Sequence, residues 1–178
     1  MSETPIITVR DSRPEDVAAI QRIYAHHVEH STASFEETAP DMAEISRRRD
    51  EVLKYTTPHM VAELDGVVQG FAYAAGYRAR AAYRYTVEDS IYVDPNATGH
   101  GIGTRLLSEL IERCTALGYR QMIAVIGGAD NAASIRLHQR LGFTMAGQLK
   151  ATGFKFGGWL DIVHMQRALG EGSGSIPE

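Results

Sequence analysis

Three glycines, Gly99, Gly101 and Gly103, alternate where an aromatic and β-branched run stops and an amphipathic helical pattern begins. Backbone N–H groups in the first turn of a helix lack intrahelical partners and point outward. Glycines remove the side chains that would keep an anion from reaching those groups. The spacing thus describes an anion cradle, set against the plainer reading of a glycine turn that serves packing alone. A nucleoside-triphosphate loop needs Gly-Lys-Ser/Thr, and this loop holds no lysine. A dinucleotide crevice needs Gly-x-Gly-x-x-Gly early in a βαβ unit. Here the pattern is Gly-x-Gly-x-Gly, and it follows four predicted strands.

Other chemistry-bearing residues stand nearby. If the run before the loop is a regular strand, Thr86, Glu88, Ser90 and Tyr92 share one face, and Tyr85, Val87, Ile91 and Val93 the other. Glu88 is a carboxylate close to the cradle; on residue type alone the favoured reading is a solvent-facing or arginine-paired strand glutamate. His26, His27 and His30 have the helical spacing of metal ligands, but no third ligand set accompanies them. They read as partly exposed helix histidines, and no metal is expected. Cys114 is the only cysteine, so no internal disulfide can form. It falls on the apolar stripe of its helix, which makes it a buried inert thiol rather than an acyl-carrying nucleophile.

The elements that must position these residues are legible as patterns. Ile6 to Val9 reads as a strand, and Pro14 with Glu15 and Asp16 as the start of a helix carrying Val17, Ile20, Ile23, Tyr24, His27 and Val28. A second helix follows Pro40, with Met42, Ile45, Val52 and Leu53 inward and Arg47 to Arg49 as a solvated face. Asp65-Gly66 between Met60–Leu64 and the run from Val67 to about Tyr77 is a strong hairpin signal. Tyr83 to Val93 reads as the next strand, broken by Pro95-Asn96. The helix after the glycines carries Leu106, Leu107, Leu110, Ile111, Cys114 and Leu117, and Gly118 ends it. Gln121 to Ile126 is a short strand, and Asn131 to Leu141 a helix closed by Gly142. Beyond Phe143 the chain is extended, ending in a strand near Asp161 to Gln166. The predicted order, β-α-α-β-β-β-α-β-α-β-β, is a mixed α/β (α+β) chain with a mostly antiparallel central sheet flanked by helices.

Bulk properties bound the function. The 178 residues suit a single domain, read as 1–170, with a glycine- and serine-rich tail, 171–178, expected to fray. A net charge of −4 argues against general nucleic-acid binding. No apolar run reaches membrane-spanning length, and Met1 to Pro5 lacks the basic-then-apolar pattern of a secretory leader. The expectation is a cytoplasmic protein with no membrane partner.

The segment Ser90-Ile91-Tyr92-Val93-Asp94-Pro95 through Gly99-His100-Gly101-Ile102-Gly103-Thr104 resembles the acetyl-CoA loop of the GNAT superfamily of N-acetyltransferases. The downstream Asn131-Ala132-Ala133-Ser134-Ile135 and Leu141-Gly142-Phe143 match the same superfamily. Thr86-Val87-Glu88-Asp89-Ser90, Arg136-Leu137-His138 and Lys155-Phe156-Gly157-Gly158-Trp159-Leu160-Asp161 are similar to its phosphinothricin and methionine-sulfoximine branch. The likeness runs from about Ile7 to Leu169.

The resemblance implies direct acetyl transfer from acetyl-CoA, without a metal, to the α-amine of a small amino-acid-like molecule, and toxin or herbicide resistance as an associated trait. It assigns coenzyme contacts to Ile91, Tyr92 and Val93, to Gly99 through Thr104, and to Asn131 and Ser134. Asn131 doubles as a natural helix N-cap. Glu88 becomes the general base. His138, where much of the superfamily has tyrosine, is either the donor to the departing thiolate or a packed helix histidine. Arg78, Lys155 and Phe35 match the branch's substrate positions, the two cations facing an acidic or strongly polar acceptor; Arg80, Tyr73, Tyr77 and Thr86 are placed around it by their positions in this sequence, and singly each is ordinary packing or surface. A homodimer is also implied. The loop usually opens with Arg or Gln; Thr98 stands there instead, so grip on the pyrophosphate falls mainly to backbone amides. A protein or peptide N-acetyltransferase and a non-catalytic acetyl-CoA-binding module are the alternatives.

Overall fold

The computed structural model describes residues 6–177. The leader reading on Met1 to Pro5 and the last tail residue, Glu178, lie outside them. The strands are β1 (Ile7–Asp11), β2 (His59–Leu64), β3 (Val67–Gly76), β4 (Thr86–Val93), β5 (Gln121–Gly127), β6 (Thr144–Lys155) and β7 (Gly158–Ala168). The helices are α1 (Val17–His30), α2 (Met42–Lys54), α3 (Ile102–Ala116) and α4 (Ala132–Arg140). The strands form one seven-stranded sheet in the order β1-β2-β3-β4-β5-β7-β6. Every pairing is antiparallel except β4 with β5. This is the mixed, mostly antiparallel architecture expected. Among the described residues no helix is long and apolar enough to cross a membrane.

Period-two alternation divides the core into two layers. Met60, Ala62, Ala72, Ala74, Val87 and Met122 face the α3 side, where Leu106, Leu107 and Leu110 are fully buried. Val61 and Phe71 face the other side and meet Ile20, Ile23 and Val28 of α1 and Ile45 of α2. Truncating one such leucine to alanine typically costs about 2–5 kcal/mol. Helix α3 lies close on the sheet at Gly70, where an added Cβ would stand 2.9 Å from Ile102 Cγ2.

The β2–β3 turn uses Asp65 (φ 51°) and Gly66 (φ 83°), both left-handed, as its Asp-Gly pair demands. Strand β4 begins at Thr86, three residues later than the expected Tyr83. Ala81–Tyr83 instead winds into a 3-10 turn, closed by Arg84 N–H donating to the Ala81 carbonyl. The arginine run is also less solvated than expected. Arg49 is buried and donates to the Ser12 hydroxyl and carbonyl at 2.8 and 2.7 Å. Past β7 the chain turns tightly, with Gly172 N–H donating to the Leu169 carbonyl and Arg120 reaching the Ser175 hydroxyl at 3.1 Å.

Candidate active site

Strands β4 and β5 run side by side only from Thr86–Gln121 to Asp89–Ala124. Beyond that point β4 stays paired with β3 as far as Val93, while β5 goes on to Gly127 paired with β7. The two strands therefore part, leaving one edge of Ser90–Val93 without a strand neighbour among the described residues. A cavity of about 860 Å³ opens in the gap. Its walls are this strand edge, the loop leading into α3, the start of α4 and the Ala33–Glu36 segment.

The loop is held from beneath. Asp94, 3% exposed, accepts from Asn96 N–H at 2.9 Å and pairs with Arg22 at 2.8 Å. Gly99 (φ 83°) and Gly101 (φ 87°) take left-handed conformations, and a Cβ at either would have no heavy atom of the described residues within 4 Å. Their glycine requirement is conformational. Gly103 differs: a Cβ there would press on Leu137 of α4 at 3.2 Å, so it permits helix packing. Gly101 caps α3, and Ile102, Gly103 and Thr104 of its first turn line the cavity. The Thr98 hydroxyl donates to the Pro95 carbonyl at 3.3 Å, so it serves the loop itself. His100 turns back to the Ala97 carbonyl at 3.3 Å and is not on the cavity wall.

Glu88 lines the cavity, half-buried. Burial, and secondarily the charge of Asp89, push its carboxyl above the usual range, with Arg78 opposing. Register places Glu88 opposite Ala75 and Ser90 opposite Tyr73, so Glu88, Ser90 and Tyr73 share a face, as alternation predicts. Tyr73, Ile91, Tyr92 and Val93 all line the cavity. His27, read from sequence as a helix histidine, reaches it too, and its Nε2–H donates to the Val93 carbonyl at 2.8 Å. Burial lowers its pKa, which favours the neutral ring. Its neighbours His26 and His30 stack on each other at 4.7 Å. No group of three potential ligands that could hold a metal occurs among the described residues.

On the α4 wall, Asn131 Oδ1 accepts from Ser134 N–H at 3.2 Å, the N-cap its residue type suggests. His138 is buried, and both ring nitrogens are engaged. Nδ1 lies 2.8 Å from the Ser134 carbonyl and Nε2 2.9 Å from Asp89 Oδ2. Burial opposes a charge there, but Asp89 outweighs it and holds the imidazole above its ordinary value. Sequence reasoning missed Asp89, which an alternation of apolar side chains had concealed.

The expected acceptor residues divide. Phe35 is on the wall, seated against β5 and β6: a Cβ at Gly127 would lie 2.6 Å from its ring and one at Gly153 2.2 Å. Tyr77, Arg78, Arg80 and Thr86 are not on the cavity wall. Arg78 is exposed, its guanidinium 4.8 Å from the Tyr77 ring centroid, and Arg80 is exposed before the 3-10 turn. Lys155 is buried, with its ammonium donating to the Ser31 and Ser34 carbonyls at 2.9 and 2.6 Å. The β6–β7 turn, with left-handed Phe156 and Gly157, folds Lys155 under the loop that carries Phe35. That loop is tied further by Tyr24 O–H donating to Glu36 at 2.7 Å and by Arg48 pairing with Glu36 at 2.6 Å. The lysine thus holds a wall of the cavity, where the resemblance had it facing substrate.

Comparisons with known proteins agree with this geometry. Residues 16–143 match the Acetyltransferase (GNAT) family. A phosphinothricin N-acetyltransferase of Alcaligenes faecalis is 52% identical over 171 residues, covering 96% of this chain and 87% of the relative. An L-methionine sulfoximine/L-methionine sulfone acetyltransferase of Salmonella typhimurium is 42% identical, covering 93% of this chain and 96% of the relative. The crystal structure of a phosphinothricin acetyltransferase from Sinorhizobium meliloti in complex with acetyl-CoA superposes with a TM-score of 0.94 at 51% identity, covering 98% of this chain and 94% of that one. The parted strands, the glycine-opened helix and these likenesses converge: the chain is an N-acetyltransferase of the GNAT family, with acetyl-CoA as its acetyl donor.

Proposed function

We propose that this enzyme acetylates the α-amine of a small amino-acid-like acceptor of the phosphinothricin, methionine sulfoximine or methionine sulfone type. Transfer is direct, with Glu88 as general base. The observation that carries the reading is Glu88 itself, a half-buried carboxyl of raised pKa in the cavity where β4 parts from β5. An amine of pKa about 8–10 is mostly ammonium at neutral pH and must lose a proton to attack a thioester. A carboxylate tuned upward accepts that proton better than an ordinary one. The freed strand edge at Ile91 and Val93 pairs with the pantetheine arm and polarises the thioester carbonyl. Orphan amides opening α3 hold the pyrophosphate. His138 lends positive charge to the departing thiolate.

Cys114 has no part in a covalent route. It is fully buried, and burial pushes its thiol up to about 12. Phe35 and Tyr73 wall the acceptor, Lys155 sets the loop behind them, and Arg78 serves an acidic acceptor by leaving the Tyr77 ring. A second copy covers the exposed Phe154, Phe156 and Trp159 of the β6–β7 hairpin, giving a homodimer. The single buried thiol suits a reducing cytoplasm.

The test is a thiol-release screen with acetyl-CoA against phosphinothricin, methionine sulfoximine, methionine sulfone, ordinary amino acids, polyamines and N-terminal peptides. The first three lead if the reading holds. Preference for polyamines or peptides overturns it.

A further inference from the structure

Two consecutive carboxylates of β4 leave the strand on opposite faces. Glu88 shares its face with Tyr73 and Ser90, whereas Asp89 lies on the α3 and α4 side, 7% exposed. Asp89 is also the last β4 residue paired with β5, at Ala124, so it stands at the apex of the gap. Both it and His138 line the coenzyme cavity. The two acceptors around the imidazole leave little freedom for its protons. A carbonyl at Nδ1 and a carboxylate at Nε2, 2.8 and 2.9 Å away, are both satisfied only if both nitrogens donate. This arrangement suits the charged ring, which also makes a T-shaped contact with Phe143 at 4.9 Å. The second oxygen, Asp89 Oδ1, is buried with no hydrogen-bond partner among the described residues. An unsatisfied buried acceptor is costly. A role confined to holding α4 on the sheet does not explain leaving one at the wall of the coenzyme cavity.

We propose that Asp89 is a positioning residue for acetyl transfer: it fixes the His138 imidazolium at the apex of the strand gap, where that charge meets the departing thiolate. This rests on the reading of His138 given above. When the thioester C–S bond breaks, its electron pair goes to sulfur, and the fixed cation stabilises the resulting thiolate by charge alone. The amine's proton goes to Glu88, and the thiolate is protonated later from solvent.

The experiment compares Asp89→Asn, Asp89→Glu, His138→Gln and the double variant Asp89→Asn/His138→Gln in the full-length protein. It uses acetyl-CoA and the best acceptor of the screen, together with nitrogen-15 NMR of the His138 ring. The expectation is a kcat lowered about 10- to 100-fold by Asp89→Asn, the size seen for carboxylates that orient metal-bound histidines. KM for acetyl-CoA stays within about twofold, because the pyrophosphate cradle is untouched. The ring, doubly protonated at neutral pH in the wild type, becomes neutral in Asp89→Asn and recovers its proton in Asp89→Glu. In the His138→Gln background, Asp89→Asn costs far less kcat than in the wild type, the remainder being the Asp89 charge that also acts on Glu88. An equal loss of kcat in both backgrounds overturns the proposal, and so does a ring that keeps its charge in Asp89→Asn. Should His138→Gln leave kcat unchanged, the reading of His138 falls, and the ring signal in Asp89→Asn still decides whether Asp89 holds the imidazole. Should Asp89→Asn fail to fold, Asp89→Glu decides: a charged ring with recovered kcat supports the proposal, and a charged ring with lost kcat contradicts it.

Discussion

Replacing Lys155 by methionine separates two roles that the sequence leaves together. The side chain keeps its length and apolar stem but loses an ammonium that donates to the Ser31 and Ser34 carbonyls at 2.9 and 2.6 Å. Hydrogen bonds from a charged group contribute about 1.5–3 kcal/mol each, and a buried carbonyl left unpaired costs about 1–3 kcal/mol. Water reaches part of the loop once it loosens, so the net loss is about 2–4 kcal/mol. For a domain of this size each kcal/mol lowers Tm by about 2–4 °C, which gives a drop of roughly 5–15 °C. Phe35 rides on the same loop, seated against Gly127 and Gly153. The acceptor KM therefore rises with the loss of stability, while KM for acetyl-CoA stays put. Thermal unfolding and steady-state kinetics on Lys155→Met check both. An unchanged Tm with a raised acceptor KM would refute the loop-holding role and make Lys155 a direct substrate ligand.

Two further predictions follow from buried groups. Burial and the neighbouring Arg49 charge push His59 down to about 4, so the folded state resists its protonation. Its stabilising effect is whole above the unfolded pKa near 6.5 and is lost as pH falls toward 4, about 3 kcal/mol over that window. Denaturant unfolding of His59→Phe loses this part of the acid dependence; an unchanged slope between those pH values contradicts it. Gly153→Ala places a methyl group 2.2 Å from the Phe35 ring, displacing it. The expected result is an acceptor KM raised at least severalfold with coenzyme KM preserved, and an unaltered acceptor KM removes Phe35 from the acceptor wall.

Much of the fold was legible because its signals are local. Asp65-Gly66 dictates a left-handed turn, and Gly118 ends α3 with φ 87°. The start of β4 was misread because Tyr83 looks like strand, while the alanines before it wind into a 3-10 turn. The glycine turn opening α3 was legible from spacing, but the division of labour within it was not: Gly99 and Gly101 supply conformation, and Gly103 supplies clearance for Leu137. Long-range pairings left no trace in the pattern. Asp89 meets a histidine 49 residues away. Lys155 meets carbonyls 121 and 124 residues away. The seat of Phe35 depends on Gly127 and Gly153, two strand glycines whose only hint was their being glycine within a strand. Glu88 stood out through family likeness alone, since a strand carboxylate carries no local mark of burial.

The central claim is that Glu88 takes the amine's proton. The most direct measurement is the pH dependence of kcat/KM for Glu88→Gln beside the wild type. A base of raised pKa works above that pKa and loses activity as pH falls through it, so the wild-type acid limb lies above the ordinary carboxylate value of 4.5. The account predicts that the variant loses this limb, keeps its affinity for acetyl-CoA, and turns over about 10²- to 10⁴-fold more slowly. A variant that acetylates as fast as wild type, with the acid limb intact, would contradict it.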